Sequence, residues 1–443
     1  MKLDDLDRLV RAGGADEIEL CAVQTRTAST RFSGSAITQA AALVDPVVQA
    51  RVAIGRRIGV ARDVASTPAL LARAIELARV SPEQPHFRGF ANPAPYPPAP
   101  RALYEQTAAL TCADHGRALE TIFLRAARHG LACAGAYKSG TTAIGIVNSR
   151  GVRAEHVMSH AKLDVIATSG DASGYATFYG ADASALDPAA MAERASEKAA
   201  RMRDPLDLEP GAYDVVLEPP AVVESLEWMA MTAFGAREVE QGQSFLAGRT
   251  PGDELTGPHT NWFDDAAGDC GVPPLPFDCE GTPKQRVRFV DGGRAGQPCH
   301  DLRTAARAGT HSTGHAPPPG DEADGPFPTH VQMAPGDDSF DDLVAEVERG
   351  LLVTRFHYVN GLLDPRRALQ TGMTRDGLFL IEQGKVTRGV RNLRWTESML
   401  DVFSRMDGAT RERQAVGTSW TSAGAFIAPS VLLRQFHFTG RSR

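Results

Sequence analysis

The chain has 443 residues, 42% of them apolar and 23% charged, which is length and apolar surface enough for two or three domains with their own cores. A formal charge of -7 provides no basic stripe for a phosphate backbone, so a peptide or small molecule is expected as partner and nucleic acid is not. Six cysteines without a C-x-x-C pair argue against a zinc ribbon or a thioredoxin-like redox centre and leave structural free thiols.

The first twenty residues are amphipathic and acidic where a signal peptide needs an unbroken apolar core, and no run reaches membrane-spanning length. The expectation is a cytoplasmic protein with no membrane partner. Residues 4–12 begin as a helix, and 17–63 alternate β-branched stretches with Gly and Ser, which predicts hairpins. A helix is expected over 67–80, then a Pro- and aromatic-rich extended connection over 81–104. Residues 116–130 read as a helix, 142–179 as several strands turning at Ser149–Gly151 and Ser169–Gly174, and 187–202 as an Ala-rich helix. The polar stretch 203–214 is the expected boundary, giving domains 1–205 and 206–443.

In the second half, a strand at 213–219 leads into an apolar helix opened by Pro219 and Pro220. A Gly/Pro/Asp-rich region, 248–338, follows, with a hairpin over 285–296 turning at Asp291-Gly292. Short strands are expected within 351–361, 377–390 and 428–440, with a helix over 396–406. Short, evenly spaced strands predict a curved or barrel-like sheet.

Glu224 and Glu227 lie three apart on the apolar helix and so share a face. Two such carboxylates in a cleft can do acid and base work if their environments differ, but the commoner outcome is a solvated stripe. Cys299, His300, His311 and His315 form the main histidine concentration, and His311 and His315 have the i, i+4 spacing of helical metal ligands. The Ser-Thr-Gly between them and the three prolines after them predict a loop, where that spacing has no geometric meaning. Asp264, Asp265, Asp269, Asp278 and Glu280 could bind a hard cation, but they lack EF-hand spacing, and turns and hairpin corners are expected instead. "GDCGVPPLPFDCEG" has prolines where a phosphate cradle donates N–H groups, and neither "SGSAIT" nor "SWTSAG" is a nucleophile elbow.

Several segments in order resemble the TldD/PmbA (TldD/TldE) family, a bacterial and archaeal protease system: "RFSGSAITQ", "VNSRGVRAEH", "PFDCEGTPKQRVRFVDGG", "HSTGHA", and the block from "TRFHYVNG" to "RNLRWTESMLDV". The resemblance implies an α+β protein of two domains, an α/β N-terminal domain and a β-rich C-terminal one, assembled as a dimer around a chamber. It also implies unfolded peptide substrates bound in extended form by strand addition. In heterodimeric members the TldD-type subunit holds the metal with an H-E-x-x-x-H helix and a later cysteine, and the TldE/PmbA-type subunit lacks them. Here the corresponding helix reads Glu224-Ser225-Leu226-Glu227-Trp228-Met229, and "AVGTSWTSAGAFIAPSVLLRQFHFTG", at the cysteine's place, has no Cys. The chain is therefore expected to be a non-catalytic TldE-like subunit, with no cofactor of its own and zinc in a TldD-like partner. The alternatives are an independent metallopeptidase with its site moved to Cys299, His300, His311 and His315, and a homodimeric peptide-binding protein.

Overall fold

The computed structural model describes residues 2–321, 324–417 and 424–442. After helix α1 (Leu3–Ala12) come β1 (Glu17–Ser33), β2 (Ala36–Ile54), β3 (Arg57–Asp63), β4 (Ala132–Asn148), β5 (Arg153–Ser169) and β6 (Ala172–Gly180). They form one antiparallel sheet in the order β3-β2-β1-β4-β5-β6. Side chains alternate across a strand, and the two faces have different fates. Leu20 and Ala22 of β1 and Leu163 and Val165 of β5 point to the face covered by α1, α2 (Pro68–Val80), α4 (Cys112–Arg128) and α5 (Pro188–Arg201). The opposite face carries Cys21, Ile144 and Ile146 toward the second half of the chain. The expected extended connection runs from Ser81 to Tyr104, ahead of the single-turn α3 (Glu105–Ala108).

The second half is built on β7 (Gly211–Leu217), followed by α6 (Pro219–Ala233) and α7 (Ala236–Glu240). The Gly/Pro/Asp-rich region supplies only β8 (Trp262–Asp264), β9 (Val287–Asp291), β10 (Arg294–Ala295), α8 (Leu302–Ala308) and β11 (Val331–Met333). The hairpin between β9 and β10 turns at Gly292 and Gly293 (φ 57° and 76°), where only glycine is unstrained. After α9 (Phe340–Ala345) come β12 (Arg349–Asp364), β13 (Leu369–Glu382), β14 (Lys385–Gly389), β15 (Leu393–Ser398), α10 (Met399–Ser404), β16 (Met406–Val416) and β17 (Phe426–Arg441).

The barrel-like expectation is met by a closed circuit. β7 pairs in parallel with β12 and antiparallel with β17, and β12, β13, β15 and β17 join the two ends. Val353, Phe356, Trp395, Val431 and Phe436 of these strands form one core with Val222, Leu226, Met229 and Ala233 of α6. Apolar residues on every side of α6 suit a helix that is covered all round, and Pro219 and Pro220 sit in its first turn, where a missing N–H costs nothing.

The strands β12, β13 and β17 run 14 to 16 residues, in place of the short ones expected. Bulges hide their length. Tyr358 and Gln435 take φ of 53° where the register slips, between His357 and Asn360 and between Leu433 and Phe436. Each slip resets the alternation that a reader of the sequence follows. The helix expected over 396–406 shrinks to α10, because Thr396–Ser398 complete β15 and Ser398 Oγ accepts from Asp401 N (3.3 Å) as the cap.

Candidate functional site

The helix-free face of the first sheet meets the barrel along a seam rich in charged groups. Lys162 of β5 donates to Gly417 O (2.8 Å), and Gln414 of β16 donates to Thr177 O (2.8 Å) of β6. The Arg355 guanidinium of β12 lies 4.4 Å from the centre of the Tyr175 ring, and its Nε donates to Asp376 (2.8 Å). Tyr175 and Thr177 hydroxyls both donate to Asp164 (2.7 and 2.8 Å).

Glu224 and Glu227 of α6 face this seam and are half-buried, which corrects the expected solvated stripe. Burial raises the Glu224 carboxyl, opposed by Arg355 and Lys162. Burial, then the Glu224 charge, push Glu227 up to about 8, so it is mostly protonated at neutral pH. Trp228 stacks against β12 at Gly361, where an added Cβ would come within 2.9 Å of it. Because Glu227 titrates at 4.5 when unfolded and about 8 when folded, the fold binds its proton more tightly. The cost of ionising it appears as pH rises through 4.5 and is complete above 8. Glu227→Gln is therefore expected to stabilise the isolated chain by roughly 1–3 kcal/mol at pH 8.5 and by little at pH 4, as thermal melts at the two pH values would show.

A zinc site needs deprotonated nitrogen, sulfur or oxygen donors converging on one point. At α6 the structure offers one carboxyl held protonated, one carboxyl near it, and two cations, and this set does not fit. Among the described residues, no group of three or more His, Cys, Asp or Glu is arranged to hold a metal ion. The place expected for a cysteine ligand falls partly on residues 418–423, outside the described residues.

The Cys299, His300, His311 and His315 set is not brought together. Cys299 is fully buried and bridges by backbone to Phe234 and Ala236 (both 2.9 Å), while His311 is exposed. The His300 carbonyl accepts from Ser312 Oγ and Thr313 N (both 3.1 Å), which fixes the loop. His315 is fully buried, with Nε2 3.1 Å from Asp264 Oδ1 and Nδ1 2.9 Å from the Thr313 hydroxyl. Burial lowers the His315 pKa, while Nε2 faces the Asp264 carboxylate and Nδ1 faces both the hydroxyl and the carbonyl of Thr313 (2.9 Å each).

The acidic residues serve as turns and ties. Asp278 accepts from Glu280 N, Thr282 N and Ala316 N (3.0, 2.9 and 2.8 Å), an Asx turn that also holds the "HSTGHA" loop. Glu280 accepts from Arg51 of β2 (2.7 Å) and from Leu302 N at the start of α8 (2.9 Å). Asp265 pairs loosely with Arg286 (3.9 Å), and Asp269 is exposed. Phe277 packs against Tyr96 (4.8 Å between ring centres) and His156. The "PFDCEG" turn thus ties the first sheet to α8 and to the loop that follows it.

The residues missed in the sequence are the cations. Lys138, His160 and Lys162 line a groove of about 550 Å³ on the first sheet, together with alternate residues of β1 and β2, among them Thr25, Thr27 and Gln39. Burial, then Lys138, lower His160 to about 4, so the positive charge of the groove comes from the two lysines and Arg31, with Asp45 also in the lining. One available signal was scarcity: the chain has only six lysines among 47 basic residues, and Lys138, Lys162 and Lys284 all line cavities.

The sequence profile of the PmbA/TldA metallopeptidase central domain matches residues 108–203, and that of the C-terminal domain matches 210–440. The structure is similar to that of TldE from Thermococcus kodakarensis, with a TM-score of 0.87 at 19% identity, over 98% of this chain and 100% of that one, so the two share a fold. A metalloprotease of Methanothermobacter thermautotrophicus is 23% identical over 222 residues, 49% of this chain and 47% of that protein. An uncharacterized protein of Methanocaldococcus jannaschii is 32% identical over 103 residues, 23% of this chain and 24% of that protein. These matches span less than half the length of the curated relatives. With both domain profiles matched across most of its length, the chain belongs to the PmbA/TldD family.

Proposed function

We propose that this chain is a non-catalytic, TldE/PmbA-like subunit of two domains divided at 205/206. It pairs in the cytoplasm with a TldD-like metalloprotease, which holds the zinc, and helps to form a chamber where unfolded peptides are processed. The observation that carries this reading is α6: the helix expected to bear the metal ligands lies at the seam between the sheets, and its polar residues there are Glu224 and Glu227, beside Lys162 and Arg355. Without an imidazole or thiolate, this helix cannot hold zinc against a water and lower that water's pKa as a catalytic site does. The groove of Lys138 and Lys162 beside β2 supports an extended, peptide-like occupant. Among the described residues, the first twelve of β2 have no strand on their outer side, because β3 pairs only with Val48–Ile54.

Co-expression with a family member carrying H-E-x-x-x-H should yield a complex with one zinc per pair, and peptide cleavage that the isolated chain lacks. Stoichiometric zinc with chelator-sensitive proteolysis from the isolated chain would overturn the proposal. A stable homodimer that ignores the added partner would count for the peptide-binding alternative instead.

A further inference from the structure

Two thiols 258 residues apart in the chain meet where the "PFDCEG" turn crosses the first sheet. Cys21 of β1 points to the helix-free face, paired with Ile146 of β4 on one side and Gln49 of β2 on the other. Cys279 sits in the turn, and the two residues after it fix its place over Cys21. Glu280 accepts from Arg51 of β2 (2.7 Å), and a Cβ added at Gly281 would come within 3.5 Å of Ile146. The turn is closed on itself, with Asp278 N donating to Thr282 O and Gly281 N to Asp278 O (both 3.0 Å). Cys279 packs against the buried cluster that holds Cys21. Its thiol, ahead of burial, pushes the Cys21 pKa well above the ordinary value, as direct contact between the two side chains does.

The two sulfurs differ in reach. Cys21 is 1% exposed, while Cys279 is half-buried and lines a cavity of about 260 Å³ whose lining includes the exposed His86 and Arg88. The other half-buried thiols lean on oxygen: Cys112 on Ser29 O and Ala41 O (3.8 and 3.5 Å), and Cys270 on Gln332 Oε1 (3.4 Å). Cys133 and Cys299 are buried. A reachable thiol with a second one held behind it is the arrangement in which the first is oxidised and the second resolves it.

We propose that Cys21 and Cys279 form a two-thiol site that hydrogen peroxide oxidises to a disulfide and that a dithiol reduces again, itself becoming a cyclic disulfide. The peroxide O–O bond breaks on Cys279 Sγ, which becomes a sulfenic acid as water leaves. Cys21 Sγ then attacks that sulfur, the S–O bond breaks, and the hydroxide leaves with the Cys21 proton as a second water. The new bond ties β1 to the turn whose Asp278 accepts from Ala316 N (2.8 Å) and so holds the loop after α8. The site does not depend on the function proposed above, and it is measured on the isolated chain with no partner.

The test is to treat the folded full chain with a small excess of hydrogen peroxide, block the remaining thiols with N-ethylmaleimide, and cut before aspartates, which separates Cys270 from Cys279. Mass spectrometry is expected to show two of the six thiols lost and one cross-linked pair, the peptides holding Cys21 and Cys279, which dithiothreitol separates. Cys21→Ser should leave Cys279 as a sulfenic acid that dimedone traps, and Cys279→Ser should leave Cys21 reduced. The mapping of the unaltered chain decides the matter even if a variant does not fold. Six thiols retained, a disulfide through any other cysteine, or Cys21 oxidised in Cys279→Ser would overturn the proposal. Failure of the chain to pair with a TldD-like partner would bear on the proposed function alone.

Discussion

Replacing Asp264 with alanine is expected to remove about 3–5 kcal/mol of stability, seen as a lower denaturant midpoint with an unchanged slope. Asp264 is fully buried at the end of β8 and accepts from His315 Nε2 (3.1 Å) and from His330 N (2.6 Å). Alanine leaves both donors unpaired in the interior and leaves Lys284 facing one acid fewer. Asn, which keeps an acceptor, should cost less. Burial opposes ionisation of Asp264, but Lys284 and His315 outweigh it and hold the carboxyl well below the usual carboxylate range. Its stabilising contribution is thus complete above its unfolded value of 3.8 and is lost as pH falls below it, so wild type and variant should converge in acid. Burial also lowers His315 and His330, whose unfolded forms take up protons below 6.5, so these residues weaken the fold in the same direction.

Trp395→Ala should cost a similar amount, about 3–5 kcal/mol, from lost transfer energy and the cavity left behind. Trp395 is completely buried on β15 and packs inside the barrel against two other strands, with ring centres 4.7 Å from Phe356 of β12 and 5.6 Å from Phe436 of β17. Gly372 of β13 lies under the indole, and an added Cβ there would come within 2.9 Å of it, so no side chain is available to close the gap. Trp395→Phe keeps an aromatic ring in place and should lose roughly 1–2 kcal/mol, which equilibrium unfolding in urea would resolve.

Helices with caps and one apolar face were legible from sequence: Thr67 before Pro68 marks α2, and Asp187 before Pro188 marks α5, each with its side chain accepting from the first turn. The barrel was legible as a tendency, but its strand lengths were not, because Tyr358, Asp376 and Gln435 adopt positive φ inside strands, where sequence gives no warning. In the site, Glu224 and Glu227 could be found but not their environment. Lys162 and Arg355 lie 62 and 131 residues from Glu224 in the chain, and only the meeting of two sheets places them together. The role of Asp264 was open for the same reason: its partner His315 is 51 residues away, in a segment that the Ser-Thr-Gly and the prolines had marked as a loop.

The closure of the barrel by β7 and β17 also constrains how the chain can be made. Val215 pairs with Leu433 and Tyr213 with Phe436, partners more than 200 residues apart. During synthesis α6 emerges with apolar residues on every side well before β17, the strand that closes the barrel over it. Pairings of such long sequence separation form slowly, and the apolar surface they leave waiting is open to wrong contacts. The nascent chain must therefore keep α6 shielded, by a chaperone or by a provisional collapse, until β17 has been made.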